Sequence, residues 1–223
     1  GRQEVTHIHA TPSYLEKFSF NSLHSLKRVV AGGETCSTNL AKEIVQWCDF
    51  YNEYGPTETT VTSTILKINK GEQIEGKIAI GRPIGDTEVY VLDEDQNLLP
   101  EGALGELYIG GKGVSAGYIH REELTKERFI ENPFGVGRLY KTGDIVRWRT
   151  DGNLDFFGRN DSQVKVRGYR IELDEIARVL EESIAVEKSV VTLHGELDKK
   201  IIAYIKGGLQ LEETKIREYL RSK

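Results

Sequence analysis

Between residues 5 and 52 the apolar pattern switches repeatedly between strand-like and helix-like periods, and no other feature of the chain constrains its fold as strongly. Val5 to His9 is a β-like run. Tyr14, Leu15 and Phe18 then fit a short helix, and Lys27 to Ala31 a strand closed by Gly32-Gly33. Leu40, Ile44, Trp47 and Cys48 mark one face of a second helix, with Ser37 or Thr38 as its N-cap. Asp49 to Asn52 is the next strand. Strand, helix, strand order predicts a parallel sheet, because parallel neighbours need a crossover that covers the sheet.

From about residue 61 the period changes to short strands between Gly- and Asp-containing turns. Thr87 to Leu92, Gly105 to Ile109 and Asp144 to Trp148 carry no helical spacing, which predicts a compact antiparallel, barrel-like unit. A second change falls at Gly158 to Asp161. Beyond it the pattern predicts a strand (Gln163 to Val166), a helix, two strands (Lys188 to Leu193 and Lys200 to Ile205) and a last helix. The first of these helices has Ile176, Val179 and Leu180 on one face. Glu172, Asp174 and Glu175 crowd its start, where the helix dipole favours negative charge. The expected division is 1–160 and 161–223. Because the chain begins directly in a β-like run and ends with the stripe Ile216, Tyr219, Leu220 still running, it is read as a fragment cut at both ends.

Composition narrows the function classes. A net charge of −5 without any clustered Lys/Arg run argues against a nucleic-acid footprint. No apolar run approaches the ~18 residues of a membrane span, and the first residues lack a signal-peptide pattern. Two cysteines, Cys36 and Cys48, do not make a disulfide framework, and five scattered His lack zinc-site spacing. A reduced, cytoplasmic protein is expected.

Three segments can carry chemistry. Asn52-Glu53-Tyr54-Gly55-Pro56-Thr57-Glu58 follows a strand, where open α/β sheets bind ligands. Thr57 offers a hydroxyl to a phosphate, Glu58 a hard oxygen to Mg²⁺, and Tyr54 a face for a base. The same heptapeptide can equally be a Gly-Pro turn with a capping Thr and a solvated Glu. Tyr140-Lys141-Thr142-Gly143-Asp144 places one carboxylate at a turn, either as a ribose acceptor or as a turn Asp bonding its own backbone. Between Gly158 and Arg170 four cations gather, and a strand there projects Lys165 and Arg167 from one face. Such a face suits a polyphosphate, or is a protected basic edge. Gly110-Gly111-Lys112-Gly113-Val114-Ser115 lacks phosphate-loop spacing and is read as a turn between strands.

Together these segments resemble the adenylate-forming superfamily, which comprises peptide synthetase adenylation domains, acyl-CoA synthetases and luciferases. The heptapeptide, the run Gly105-Glu106-Leu107-Tyr108-Ile109-Gly110-Gly111-Lys112-Gly113-Val114-Ser115-Ala116-Gly117-Tyr118, and Arg167-Gly168-Tyr169-Arg170-Ile171-Glu172-Leu173-Asp174-Glu175-Ile176 are similar to the amino-acid-activating branch. Acyl-CoA synthetases more often replace the Ile-Glu-Leu portion. The resemblance implies an α/β plus β fold. It would be the C-terminal part of the large adenylate-forming domain (residues 1–160), with a parallel-sheet portion and a barrel-like unit, followed by the start of an α+β small subdomain (161–223).

The implied reaction has two halves. An amino-acid carboxylate attacks the α-phosphate of ATP, and a carrier-protein phosphopantetheine thiol then takes the acyl group. By resemblance Thr57 and Glu58 are catalytic, with Thr57 at the α-phosphate and Glu58 holding Mg²⁺. Asn52, Glu53, Tyr54, Gly55, Thr57, Asp144, Phe156 and Arg159 would line the nucleotide. Tyr54 stacks on adenine with Asn52 at its edge, and Asp144 and Arg159 reach the ribose. Phe156 stands where many relatives have Tyr, so stacking survives without a hydroxyl contact. Asp161 would be the hinge. His9, Val29, Ala31, Glu53, Val61 and Thr62 would line a side-chain pocket suited to a large group with a polar tip. The competing readings are an acyl- or aryl-CoA ligase and a non-catalytic nucleotide-binding module.

The resemblance also implies a Gly-, Ser- and Thr-rich loop ending in Lys, expected upstream, and a lysine expected downstream, and neither has a match here. Interactions made only in the transition state dominate rate. The isolated chain is therefore expected to lack appreciable amino-acid-dependent pyrophosphate exchange, and robust exchange by it would overturn this.

Overall fold

The computed structural model describes residues 4–183, 185–195, 199–208 and 212–223. The chain divides into two units, Gly1–Asn160 and Asp161–Lys223. In the first, β1 (His7–Ala10), β2 (Arg28–Ala31) and β3 (Asp49–Tyr54) run parallel, with Ile8 opposite Val29 and Val29 opposite Phe50. The crossovers carry α1 (Pro12–Leu15) and α2 (Thr38–Ile44). Leu15, Leu40, Ile44, Val29 and Phe50 form one buried cluster between helices and sheet. Ser37 caps α2, its hydroxyl accepting from the Leu40 amide at 3.2 Å. Because α2 ends at Ile44 in tighter turns (Trp47 N to Ile44 O, 2.9 Å), Trp47 leaves the helical face and is exposed, while Cys48 remains in the core.

The first sheet is mixed rather than purely parallel. β4 (Thr64–Ile68) returns antiparallel along β3, and β5 (Arg82–Pro83) pairs with β4, so these strands belong to the α/β layer and not to the following β-unit. That unit comprises β6 (Thr87–Leu92), β7 (Gly105–Gly111), a short helix α3 (Glu122–Arg128), β8 (Phe129–Glu131), β9 (Arg138–Trp148) and β10 (Leu154–Arg159). The antiparallel order is β10-β9-β7-β6, with β8 on β9, and bulges bend β9 at Thr142 to Asp144, opposite Leu107, and β10 at Phe157. Tyr54, Ile80, Val91, Leu107, Ile109, Val146 and Leu154 share a core on one face of it. Gly81 joins the two sheets: its backbone bonds Leu154, and a Cβ on it would fall 2.0 Å from the Ile65 carbonyl carbon. With φ of +86°, only glycine fits there.

The second unit contains β11 (Gln163–Val166) hairpinned to β12 (Tyr169–Glu172), then α4 (Leu173–Glu181), β13 (Val186–His194), β14 (Lys200–Gly207) and α5 (Glu213–Arg221). Leu180, Val186 and Ile216 form its core, supported by Ile176, Val191 and Ile205. Leu220, by contrast, is exposed. Arg167 also departs from expectation. It does not continue β11 beside Lys165, because Arg167 (φ +52°) and Gly168 (φ +81°) form the two-residue turn of the hairpin.

Burial raises the Cys36 thiol from its ordinary 9.0 to about 12, with Glu16 adding to the effect. Burial likewise raises Cys48 to about 11. Above pH 9 the unfolded chain gives up these protons while the folded chain keeps them. Their contribution is therefore complete below pH 9 and is lost as pH rises through 11 and 12. The unfolding free energy from urea titration should fall steadily above pH 9, by up to about 1.4 kcal/mol per pH unit for each thiol. In Cys36→Ala the slope should be shallower, and an unchanged slope would refute the assignment.

Candidate functional site

β3 delivers Tyr54 to the loop that carries the remaining motif residues. A Cβ on Gly55 would lie 2.3 Å from the Val61 carbonyl oxygen and 2.7 Å from the Ser63 nitrogen, so the loop folds back only over glycine. The Ser63 amide closes it by donating to the Tyr54 carbonyl at 2.8 Å. After Pro56 comes one 3₁₀ turn, Thr57–Thr59, ended by Thr60 and Val61 in the left-handed region. Thr57 is exposed at the start of this turn and Glu58 is buried. The segment after β7 straps the loop down. The Ser115 amide donates to the Glu58 carbonyl (2.8 Å), the Thr60 hydroxyl to the Gly113 carbonyl (2.7 Å), and the Tyr118 hydroxyl to Glu58 Oε1 (2.6 Å). Burial, then the Glu58 hydrogen bond, pushes the Tyr118 phenol well above its ordinary range, so it remains a donor. Gly110 and Gly111 thus end β7, and the turn that follows leads toward α3 rather than into another strand, with Lys112 paired to Asp86 at 2.7 Å.

Asp144 sits where β9 and β10 lie side by side, directly opposite Arg159. Its Oδ1 accepts from Arg159 Nη1 at 2.5 Å and its Oδ2 from the Tyr54 hydroxyl. Arg159 Nη2 also donates to the Thr142 carbonyl (2.9 Å). The Thr142 hydroxyl bonds the Leu107 carbonyl (2.7 Å) and receives the Asp144 amide (3.0 Å); the expected turn at Asp144 is instead a bulge within the continuous strand β9, at residues 142–144. Burial first, and the Asp144 charge second, hold the Tyr54 phenol well above its ordinary 10, so it is neutral and donating at any physiological pH. Phe156 stands beside Tyr54, with ring centroids 6.4 Å apart and planes at 36°. Asn52, one strand residue pair below, donates Nδ2 to the Ala79 carbonyl at 2.8 Å. Its Oδ1 is the buried side-chain polar atom without a hydrogen-bond partner among the described residues. Such an orphan acceptor is costly unless a ligand supplies a donor.

The expected side-chain pocket is only partly assembled. His9 Nε2 and the Thr62 hydroxyl (3.1 Å) both bond the Glu53 carboxylate, so these three come together. Val29 and Ala31 do not join them. Both are 0% exposed in the helix-covered core, because alternation along β2 points them to the opposite face from His9 and Glu53. Val30 and Gly32 occupy the Glu53 side instead, and a Cβ on Gly32 would strike the Glu53 side chain at 2.6 Å. Val61 is 59% exposed. Asp161 begins the second unit, its Oδ1 accepting the Gln163 amide at 3.1 Å.

No group of three metal-ligating side chains occurs among the described residues. Glu58 nonetheless fits the way Mg²⁺ is usually held, by one or two carboxylates, waters and substrate phosphates rather than by an all-protein cage. Tyr118 and Thr142 are site-supporting residues that residue type alone does not single out. Each does lie inside a motif, within residues 105–118 or 140–144.

The chain is similar to known proteins in both sequence and fold. The sequence profile described as AMP-binding enzyme matches residues 1–119. The chain is 40% identical to gramicidin S synthase 2 of Aneurinibacillus migulanus, an alignment covering 98% of the chain and 5% of that protein. It is 43% identical to bacitracin synthase 3 of Bacillus licheniformis, covering 97% and 3%. The chain therefore spans only a small fraction of these relatives. Among solved structures, it superposes on an artificially fused adenylation-PCP di-domain synthetase from Klebsiella oxytoca with TM-score 0.80 and 27% identity. That match covers 97% of the chain and 42% of the other. A four-domain nonribosomal peptide synthetase bound to AMP and glycine matches with TM-score 0.61 and 38% identity, over 97% of the chain and 17% of that protein.

Two substitutions separate the contributions around Asp144. Tyr54→Phe removes one hydrogen bond to a charged acceptor and should cost about 1.5–3 kcal/mol. Asp144→Ala takes the carboxylate from a nearly buried guanidinium and should cost more, about 3–5 kcal/mol. Urea unfolding of both variants checks the order, and negligible loss in both would show that the cluster carries no net stability.

Proposed function

This chain belongs to the AMP-binding enzyme family, and on that premise we propose that it forms the nucleotide-facing part of an amino-acid-activating adenylation domain of a nonribosomal peptide synthetase. The observation that carries the reading is the convergence of Tyr54, Asp144 and Arg159, with Phe156 beside them and the Asn52 acceptor on the same strand as Tyr54. An adenine amino group is the kind of donor Asn52 Oδ1 lacks. Aromatic faces at Tyr54 and Phe156 suit a base. Ribose hydroxyls would add to, or exchange with, the donors already on Asp144, and Arg159 would set that carboxylate's direction.

In this reading the amino-acid carboxylate attacks the α-phosphorus of ATP, the new O–P bond forms, and pyrophosphate leaves. Thr57, exposed at the start of its 3₁₀ turn, would donate to an α-phosphate oxygen. Glu58 would hold Mg²⁺, which when bound supplies charge neutralisation on the phosphates. Tyr118 fixes the Glu58 carboxylate for that role. Little covalent chemistry is asked of the protein, so positioning and electrostatics account for most of the rate. His9, Glu53 and Thr62 would line one wall of the amino-acid pocket, with Val30 and Gly32 replacing Val29 and Ala31. Residues 1–160 would be the core part and 161–223 the start of the small subdomain, with Asp161 as the hinge. The acyl group would pass to the phosphopantetheine thiol of a carrier protein.

The test uses the longer synthetase that contains these residues. Glu58→Gln should reduce amino-acid-dependent ATP–pyrophosphate exchange by roughly 100-fold or more. The acyl group should load a carrier protein and not free coenzyme A. Wild-type exchange in the Glu58→Gln variant would refute the assigned role, and loading of coenzyme A would move the protein to the acyl-CoA ligase branch.

A further inference from the structure

Glu106 is a largely buried carboxylate on β7 that none of the roles above uses, its side chain only 11% exposed. Its Oε1 accepts the Gly143 amide at 2.9 Å, and its Oε2 accepts Asn160 Nδ2 at 3.2 Å, with Lys141 Nζ 3.8 Å away. Gly143 immediately precedes Asp144, and Asn160 immediately follows Arg159. The Asn160 amide also donates to the Gly143 carbonyl at 3.0 Å, so the two segments touch where Glu106 grips them. The bulge in the β7–β9 ladder, where Glu106 pairs Ile145 and Tyr108 pairs Lys141, leaves Thr142 to Asp144 as the bulged residues of β9, and this side chain meets them there.

We propose that Glu106 is a positioning residue for the nucleotide: one carboxylate clamps the flanks of Asp144 and Arg159 and so sets the carboxylate–guanidinium pair before a ribose arrives. This rests on the reading of Asp144 as the ribose contact and of Arg159 as the group that directs it. Glu106→Gln keeps one acceptor for the Gly143 amide and, with the Asn160 carboxamide turned over, donates its Nε2 to Asn160 Oδ1, whereas Glu106→Ala keeps neither contact. Two contacts from one ordered side chain restrict the bulge better than two separate bonds, since only one side chain is immobilised for both.

Amide hydrogen exchange on the full chain, with AMP binding followed by calorimetry, tests this. In Glu106→Ala the Gly143 and Asn160 amides should exchange about tenfold faster, with amides of α2 unchanged, and Glu106→Gln should restore slow exchange. Unchanged exchange at Gly143, or acceleration spread evenly over residues 4–160, overturns the clamp. Where wild type binds AMP, Glu106→Ala should weaken binding about tenfold and Glu106→Gln should recover it. Equal AMP affinity in wild type and Glu106→Ala overturns the positioning role. Failure of wild type to bind AMP counts against the nucleotide site in this chain, while the exchange data decide the clamp separately.

Discussion

The carboxylate of Asp144 is the joint on which the first unit depends. It receives the hydroxyl at the end of β3 and the guanidinium at the end of β10, and it lies itself on β9. One buried anion thereby ties the α/β layer to the antiparallel sheet. A buried charge is tolerated only when paired and hydrogen-bonded, so Tyr54 and Arg159 are as necessary to Asp144 as it is to them. The surrounding bonds extend the same logic outward. Thr142 holds the Asp144 amide in the β9 bulge, Leu107 holds Thr142, and Glu106 holds Gly143. These hydrogen bonds give Asp144 a fixed direction, because every partner is itself held by a strand or by another bond.

Most of the element order could be read from the residues, because apolar period and turn chemistry agree along most of the chain. β6 and β11 fall where alternation and flanking turns place them, and Ser37 caps α2 as its hydroxyl and position suggest. Where local pattern was insufficient, a long-range partner decided. Residues 64–68 look like any short strand, and only pairing with β3 assigns them to the first sheet. Arg167 has the composition of a strand continuation, yet the Gly after it allows a tight reversal and the hairpin forms there. Trp47 shows the limit of helical periodicity, which fails once the helix tightens.

The site was legible in its residue types and only partly in its geometry. Tyr54, Glu58, Asp144 and Arg159 announce themselves as aromatic, acidic and basic groups in turn-rich segments. That Tyr54 would bond Asp144 across 90 residues of sequence is a tertiary fact that no local window contains. The pocket residues show how sensitive such inference is to register. In a strand, a shift of one position changes the face, and Val29 and Ala31 went to the core on that account. Tyr118 and Glu106 are ordinary residues by type, and only their partners give them meaning.

The two units also differ in how far apart in sequence their contacting residues lie, and this bears on the order in which they fold. β11 with β12, α4 with β13, and β13 with β14 join near neighbours along the chain. Low contact order of that kind is associated with fast folding, because little loop-closure entropy precedes each contact. The first unit must instead bring Gly81 to Leu154 and Tyr54 to Asp144. Joining Tyr54 to Asp144 therefore closes a far longer loop than any of these second-unit pairings, and folding of the first unit is expected to wait on that closure.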